Sequence, residues 1–164
     1  AEMDKAMSTQ LYDVLDVVGR RFQEVFSQLF GGGTAQIVLT DPDNILTGGI
    51  DFYIQPPGKK RQQLTLLSGG ERALTVIALL FSFLDYRPAP FCVLDEVDAA
   101  LDEANVERFS SYLNRVNKET QFIVVSHRKK TMEAAEVLQG VTMVERGVSR
   151  LLTVAFEDVK EDLA

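Results

Sequence analysis

The 164-residue sequence contains one cysteine, Cys92, and one histidine, His127. A lone thiol excludes an internal disulfide framework and fits a reducing cytosol. One Cys and one His also cannot supply the four ligands of a structural zinc site. Long hydrophobic runs are missing too. The longest, residues 73–84, is interrupted by Thr75 and Ser82 and is well short of the roughly 20 residues a bilayer-spanning helix requires. The opening Ala1-Glu2-Met3-Asp4-Lys5 has no apolar stretch behind a basic one, so a signal peptide is not expected and a soluble, cytoplasmic chain is. The absence of an initial Met points to a processed or excised piece of something longer. Positive charge is scarce: 17 Lys and Arg against 24 Asp and Glu leave a net charge of −7. This argues against a general nucleic-acid-coating protein but leaves room for a local basic patch. The remainder, 46% hydrophobic and 25% charged, is the usage of one globular domain with a sizeable core.

Residues 3–30 read as one long helix, with Met7, Leu11, Val14, Val18, Val25 and Leu29 at spacings of three, four or seven. Two readings stand: an amphipathic helix lying on its own core, or the last turns of a coiled coil entering a globular head. Gly31-Gly32-Gly33 ends it. Two short strands follow at 35–40 and 49–54, with turn residues Asp41-Pro42-Asp43-Asn44 between them. Gln55-Pro56-Pro57-Gly58 cannot extend a ladder, and Lys59-Lys60-Arg61 reads as an exposed basic run, a candidate DNA contact. A helix is expected from Ser68 to about Asp85. Phe91-Cys92-Val93-Leu94 reads as a strand buried on both faces. A helix over 103–117, a strand over 121–126 and a helix over 130–138 complete an alternation of β and α, which implies an α/β fold with a mainly parallel sheet. Residues 141–145 and 150–156, joined through Arg146-Gly147, read as a closing hairpin, and the acidic stretch 157–162 as a frayed tail.

Three signals carry chemistry. An apolar strand delivers Asp95 and Glu96 to its carboxyl end, where ligands bind in open α/β sheets. Asp95 is placed to hold Mg²⁺ and Glu96 to take a proton from an attacking water; the plainer reading is a surface turn. Ser68 and Glu71 form the S-x-x-E capping box that starts a helix. The two intervening glycines cost helix stability, so they suit the close approach of a backbone or a phosphate at the helix N-terminus. Ser126-His127 ends the next apolar strand, so His127 shares a sheet edge with the two carboxylates if the strands are neighbours.

Together these motifs resemble ABC-type ATPases. Leu67-Ser68-Gly69-Gly70-Glu71 resembles the signature motif, residues 91–96 the Walker B strand with its catalytic glutamate, Ala100-Leu101-Asp102 the D-loop and His127 the switch histidine. The longer stretches 67–74 and 91–105, with Leu29-Phe30-Gly31-Gly32-Gly33, Gln55-Pro56-Pro57-Gly58-Lys59-Lys60 and Gly140-Val141-Thr142-Met143, resemble the C-terminal head segment of bacterial structural maintenance of chromosomes (SMC) proteins over nearly the whole chain. The resemblance implies that 1–30 is the base of the returning coiled coil and 31–164 the C-terminal lobe of the ATPase head. It implies ATP and Mg²⁺ as ligands, with Leu67, Ser68, Gly69, Gly70 and Glu71 reaching ATP held on a second head. Asp95 would organise the metal, Glu96 would act on water, Asp102 would communicate across the dimer and His127 would sense the γ-phosphate. Implied partners are the N-terminal lobe, a second head, a kleisin subunit and DNA in a nucleoid-associated complex that condenses and segregates chromosomes.

No G-x-x-x-x-G-K-[ST] occurs in the chain. Gly58-Lys59-Lys60 comes nearest, with Tyr53 where the first glycine should stand and Lys60 where Ser or Thr should. The isolated chain is therefore expected to be inactive and to hydrolyse ATP only with a second lobe that supplies the phosphate cradle. The alternatives are a DNA double-strand-break repair ATPase of similar split architecture, and a kleisin-binding scaffold lobe with the Val141 to Phe156 strands as its contact. A transporter nucleotide-binding domain fits poorly, because it carries its own phosphate loop.

Overall fold

A computed structural model describes residues 2–116 and 120–155. Helix α1, Glu2–Phe30, runs into the body of the domain only over its second half. Val18, Phe22, Val25, Phe26, Leu29 and Phe30 are buried, while Met3 and Met7 on the first turns are exposed. The heptad-like spacing thus changes role along one helix: core stripe at the end, unpartnered apolar stripe at the start. Gly31, Gly32 and Gly33 all take positive φ. At Gly33 a Cβ would lie 2.4 Å from the Gln55 carbonyl oxygen, so only glycine lets the chain turn this close to the next sheet. Gln23 on α1 secures the turn: its Oε1 accepts from the Ala35 amide at 2.8 Å and its Nε2 donates to Gly33 O at 3.2 Å.

Strands β1 (Thr34–Leu39) and β2 (Ile50–Gln55) pair antiparallel, and a third strand not foreseen from sequence, β3 (Gln62–Gln63), adds to β2. Asp41 caps the intervening 3₁₀ turn by accepting from the Asp43 amide, the Asx behaviour its side chain favours. Helix α2, Gly69–Tyr86, starts at Ser68. Strand β4 (Phe91–Asp95), helix α3 (Glu103–Leu113) and strand β5 (Gln121–Val125) form a β-α-β unit whose strands pair parallel. A short helix α4 (Lys129–Glu133) precedes the antiparallel hairpin β6 (Val137–Glu145) and β7 (Val148–Ala155). Asn117, Phe156 and the acidic stretch 157–162 lie outside the described residues.

The core joins α1, α2 and α3 to one face of β4–β5. Its centre is aromatic. Phe81 stacks on Tyr112 at 5.0 Å and on Phe109 at 6.3 Å, and meets Phe122 edge-on at 5.8 Å. Burial pushes the Tyr112 hydroxyl up to about 12, with Asp85 adding to the rise.

Three expectations are corrected. The sheet is not mainly parallel: among the described residues only β4–β5 is, and the other two sheets are antiparallel. Parallel pairing needs a long crossover, and α3 provides the one that closes here. The helix expected over 130–138 stops at Glu133, because Val137 already pairs with Ala155; strand pairing overrides the helical preference of Ala134-Ala135-Glu136. Strand β4 is covered on one face only. Leu94 is buried, but Phe91 is 58% and Val93 54% exposed, as are Ile123 (46%) and Val125 (50%) beside them on β5. An apolar strand signals that both faces suit burial; whether both are buried depends on neighbours, and the described residues supply them on one side.

Candidate functional site

The Ser68–Glu71 capping box is fully formed. Glu71 N–H donates to Ser68 Oγ at 3.4 Å, Ser68 N–H donates to Glu71 Oε2 at 3.3 Å, and Ser68 Oγ donates to the same oxygen at 2.8 Å. Lys59 Nζ adds an ion pair to Glu71 Oε1 at 2.9 Å. Burial works to raise the Glu71 pKa, but the hydrogen bonds and charge from Lys59 and Ser68 outweigh it and the net shift is downward. The first helical bond runs from Arg72 N–H to Ser68 O, so the amides of Gly69 and Gly70 precede the bonded ladder and remain donors for a ligand.

The two glycines differ. A Cβ on Gly70 would meet the Ala100 carbonyl oxygen at 3.0 Å, whereas one on Gly69 would meet nothing within 4 Å. Gly70 lets the loop after β4 approach the start of α2; Gly69 keeps an outward surface bare. Gly70→Ala is therefore expected to lower stability by about 1 kcal/mol. Gly69→Ala should leave it unchanged or raise it by roughly 0.5 kcal/mol through helix propensity. Thermal melts of the two variants check this, and equal shifts would contradict it.

The approach through Gly70 builds a cavity of about 580 Å³, lined among others by Lys59, Ser68, Gly70, Glu71, Asp102 and Arg108. Asp102 caps α3 there, its Oδ1 accepting from the Asn105 amide at 2.8 Å. Signature-like and D-loop-like residues, 34 positions apart, are thus brought together. Leu67 is not part of this cavity: its side chain is 4% exposed and sits in the core, because it seats the start of α2. The expected basic run is also partly engaged. Lys59 holds Glu71, and Arg61 lies over the Tyr53 ring at 4.5 Å, so Lys59-Lys60-Arg61 is not a free cationic strip. Lys59 and Arg108 were missed as cavity residues. Gly58 beside Lys59 was a weak signal for the first; nothing in sequence marks Arg108.

Asp95, Glu96 and His127 gather elsewhere, at the carboxyl edge of β4–β5. Asp95 pairs with Val125 in register, and Glu96 N–H donates to Val125 O at 2.9 Å. His127 follows two residues later, so the neighbouring-strand condition for a shared edge is met. Asp95, Glu96 and His127 are all exposed. Glu96 has φ of +49°, the one non-glycine positive φ among the described residues. A non-glycine residue in that region costs of order 1 kcal/mol, and such strain concentrates at functional sites. As a Mg²⁺ site this edge is incomplete, since no cluster of three or more His, Cys, Asp or Glu that could hold a metal occurs among the described residues. One carboxylate fits a Mg²⁺ completed by substrate phosphates and further groups, the usual manner of nucleotide sites.

Residues 7–150 match the family described as RecF/RecN/SMC N terminal domain. The chain is 58% identical over 160 residues to the chromosome partition protein Smc of Bacillus subtilis, covering 98% of this chain and 14% of the relative. It is 53% identical over 156 residues to that of Thauera aminoaromatica, covering 95% of this chain and 13% of the relative. It therefore spans about one-seventh of the length of the curated relatives it matches. A solved Smc head domain from Pyrococcus furiosus, with an extended coiled coil and bound to the C-terminal domain of ScpA, superposes with a TM-score of 0.89 at 35% identity, over 99% of this chain and 40% of that one. A chain from work on ATP-driven dimerization and DNA-stimulated activation of SMC ATPases superposes at 0.84 and 35% identity, over 95% of this chain and 94% of that one. The last is nearly this chain's own length. The family description names an N-terminal domain, so this match supports the family and not the C-terminal placement implied by the sequence motifs.

Proposed function

The chain belongs to the SMC family, and from that premise we propose that it is the signature-motif lobe of an SMC ATPase head, the C-terminal half, which acts in chromosome partition with a second lobe. The observation that carries this reading is the N-terminus of α2, where Gly69 stands bare beside the cavity shared with Asp102, in a chain without a phosphate loop. A phosphate-binding end without its own cradle suits ATP held by another chain. The C-terminal placement rests on the signature-like, Walker B-like and D-loop-like residues 67–71, 91–96 and 100–102, and not on the name of the matched domain; the family resemblance puts the phosphate loop upstream. The exposed face of Phe91, Val93, Ile123 and Val125 suits the lobe that would supply the loop.

In this reading the amides of Gly69 and Gly70 and the Ser68 hydroxyl receive the γ-phosphate of ATP across the dimer. Ser68 Oγ now donates to Glu71; a phosphate would take over that donor while Lys59 keeps Glu71 in place. Glu96 accepts the proton of the attacking water, held by its backbone anchor on β5. His127 would donate from the same edge to the γ-phosphate of the ATP on its own head, and Asp95 would hold the metal. Mg²⁺, when bound, offsets the charge that develops on the transferred phosphoryl group. The test is ATP turnover by the chain mixed with an SMC N-terminal lobe bearing the phosphate loop. Turnover only in the mixture supports the proposal, and turnover by the chain alone overturns it.

A second reading concerns the hairpin β6–β7. Val141 (70%), Met143, Val144, Leu151 (68%) and Leu152 are exposed on it, and an apolar surface of this kind suits a protein partner. The solved Smc head relatives bound to ScpA support a kleisin winged-helix domain as that partner. Capture of the kleisin by the chain without ATP, weakened at least tenfold by Leu151→Glu, is the expected result. Undiminished capture by that variant would move the contact elsewhere.

A further inference from the structure

One carboxylate in the loop after β4 has no place in the mechanism above. Asp98 is fully buried. Its Oδ2 accepts from Ser126 Oγ at 2.6 Å and from Thr131 Oγ1 on α4, and its Oδ1 has no hydrogen-bond partner among the described residues. Burying a carboxylate on two hydroxyls is a costly way to fasten two loops, since apolar contacts would do so without desolvating a charge. Its position explains what the cost secures. Ser126 Oγ also accepts from the Arg128 amide at 2.9 Å, so the residues on both sides of His127 are held while the imidazole itself is left exposed. The Arg128 guanidinium reaches the Leu101 carbonyl oxygen, one residue before Asp102. On the other side, the Ala99 amide donates to Glu96 O at 3.0 Å and the Leu101 amide to Asp98 O at 3.1 Å.

We propose that Asp98 is a positioning residue that locks the loop carrying Glu96 and Asp102 to the loop carrying His127, so that these three groups keep one geometry. The proposal rests on the ATPase reading for the roles of those groups, but the lock itself is a statement about this chain alone. Through it the sheet edge with Glu96 and His127 is joined to the cavity where Asp102 meets Ser68.

The chain's single histidine makes the lock directly readable, because one imidazole Cε1–Hε1 NMR signal belongs to His127. In the full chain, Asp98→Ala should move or broaden that signal. Asp98→Asn, whose amide oxygen can still accept from both hydroxyls, should leave it close to the parent. Thr131→Val should reproduce the Ala effect and Thr131→Ser should not; this pair decides the matter if Asp98→Ala does not fold. In the mixture with the phosphate-loop lobe, Asp98→Ala should lower kcat about tenfold or more with KM for ATP within about twofold, the size of one transition-state hydrogen bond that the displaced groups no longer make. Added to His127→Ala it should cost less than the product of the two single losses, since the lock then has only Glu96 and Asp102 left to position. An unmoved His127 signal in folded Asp98→Ala and Thr131→Val, or losses that simply multiply with His127→Ala, would overturn the proposal. Should the parent mixture show no turnover while the His127 signal responds as described, the ATPase reading falls and the lock stands.

Discussion

Glu96→Gln in the mixed head is expected to cut ATP turnover by about 10²- to 10⁴-fold, the range for removing a positioned general base, with ATP binding retained. Gln keeps the length of the side chain and can occupy the same left-handed backbone as Glu96 at φ +49°, so the loop and its bond to Val125 O should survive. What is lost is the basic oxygen. Single-turnover hydrolysis compared with nucleotide binding on the same samples separates the two effects. Turnover within about threefold of the parent would remove Glu96 from its role and leave its strained backbone without a functional explanation. Gly69→Ala is a useful companion, since it spares stability yet puts a methyl on the surface proposed to meet ATP. A stable but inactive variant is the expected outcome.

The largest effect on folding is expected from Phe81→Ala. Phe81 is fully buried between α2, α3 and β5, stacked on Tyr112 and Phe109 and edge-on to Phe122. Truncating such a ring costs about 3–5 kcal/mol, because transfer and cavity terms add. Small domains have only about 5–15 kcal/mol in total, so much of the stability should vanish. Phe83, two residues on and 45% exposed, is the internal control: Phe83→Ala should change the unfolding midpoint of the isolated chain far less. Urea unfolding of both variants tests the ordering, and equal losses would show that the exposed face of α2 is packed in solution, for instance by self-association.

Much of this molecule was legible because its determinants are local. The Ser68–Glu71 box needs two side chains and one turn of helix, and it formed as read. The glycine break after Phe30, the strand ending at Gln55 before two prolines, and the Arg146-Gly147 turn follow from backbone preferences at single positions. Motif spacing placed Asp95, Glu96 and His127 at strand ends, and parallel pairing of β4 with β5 made those ends one edge. The meaning of the two adjacent glycines was only half legible. Both suit close approach, but which of them faces the Ala100 carbonyl and which faces open space depends on how the loop after β4 returns onto α2.

Tertiary structure decided what depends on residues distant in sequence. Asp98 reads as one more acidic residue in the loop after an apolar strand; only the approach of Ser126 and Thr131, 28 and 33 positions away, turns it into a buried clamp. Lys59 reads as part of a basic run, and its pairing with Glu71 draws it into the cavity. The apolar pattern of β4 states what its side chains prefer and says nothing of what is there to cover them, so Phe91 and Val93 look like core in sequence and stand half exposed in the fold. Sequence by itself determined where the three long helices begin, the Ser68 cap and the order of the chemical groups along the chain, because those rest on short-range hydrogen bonding and steric limits. Which groups meet, which are buried and which faces stay open were settled by packing, where each contact depends on the whole chain being in place.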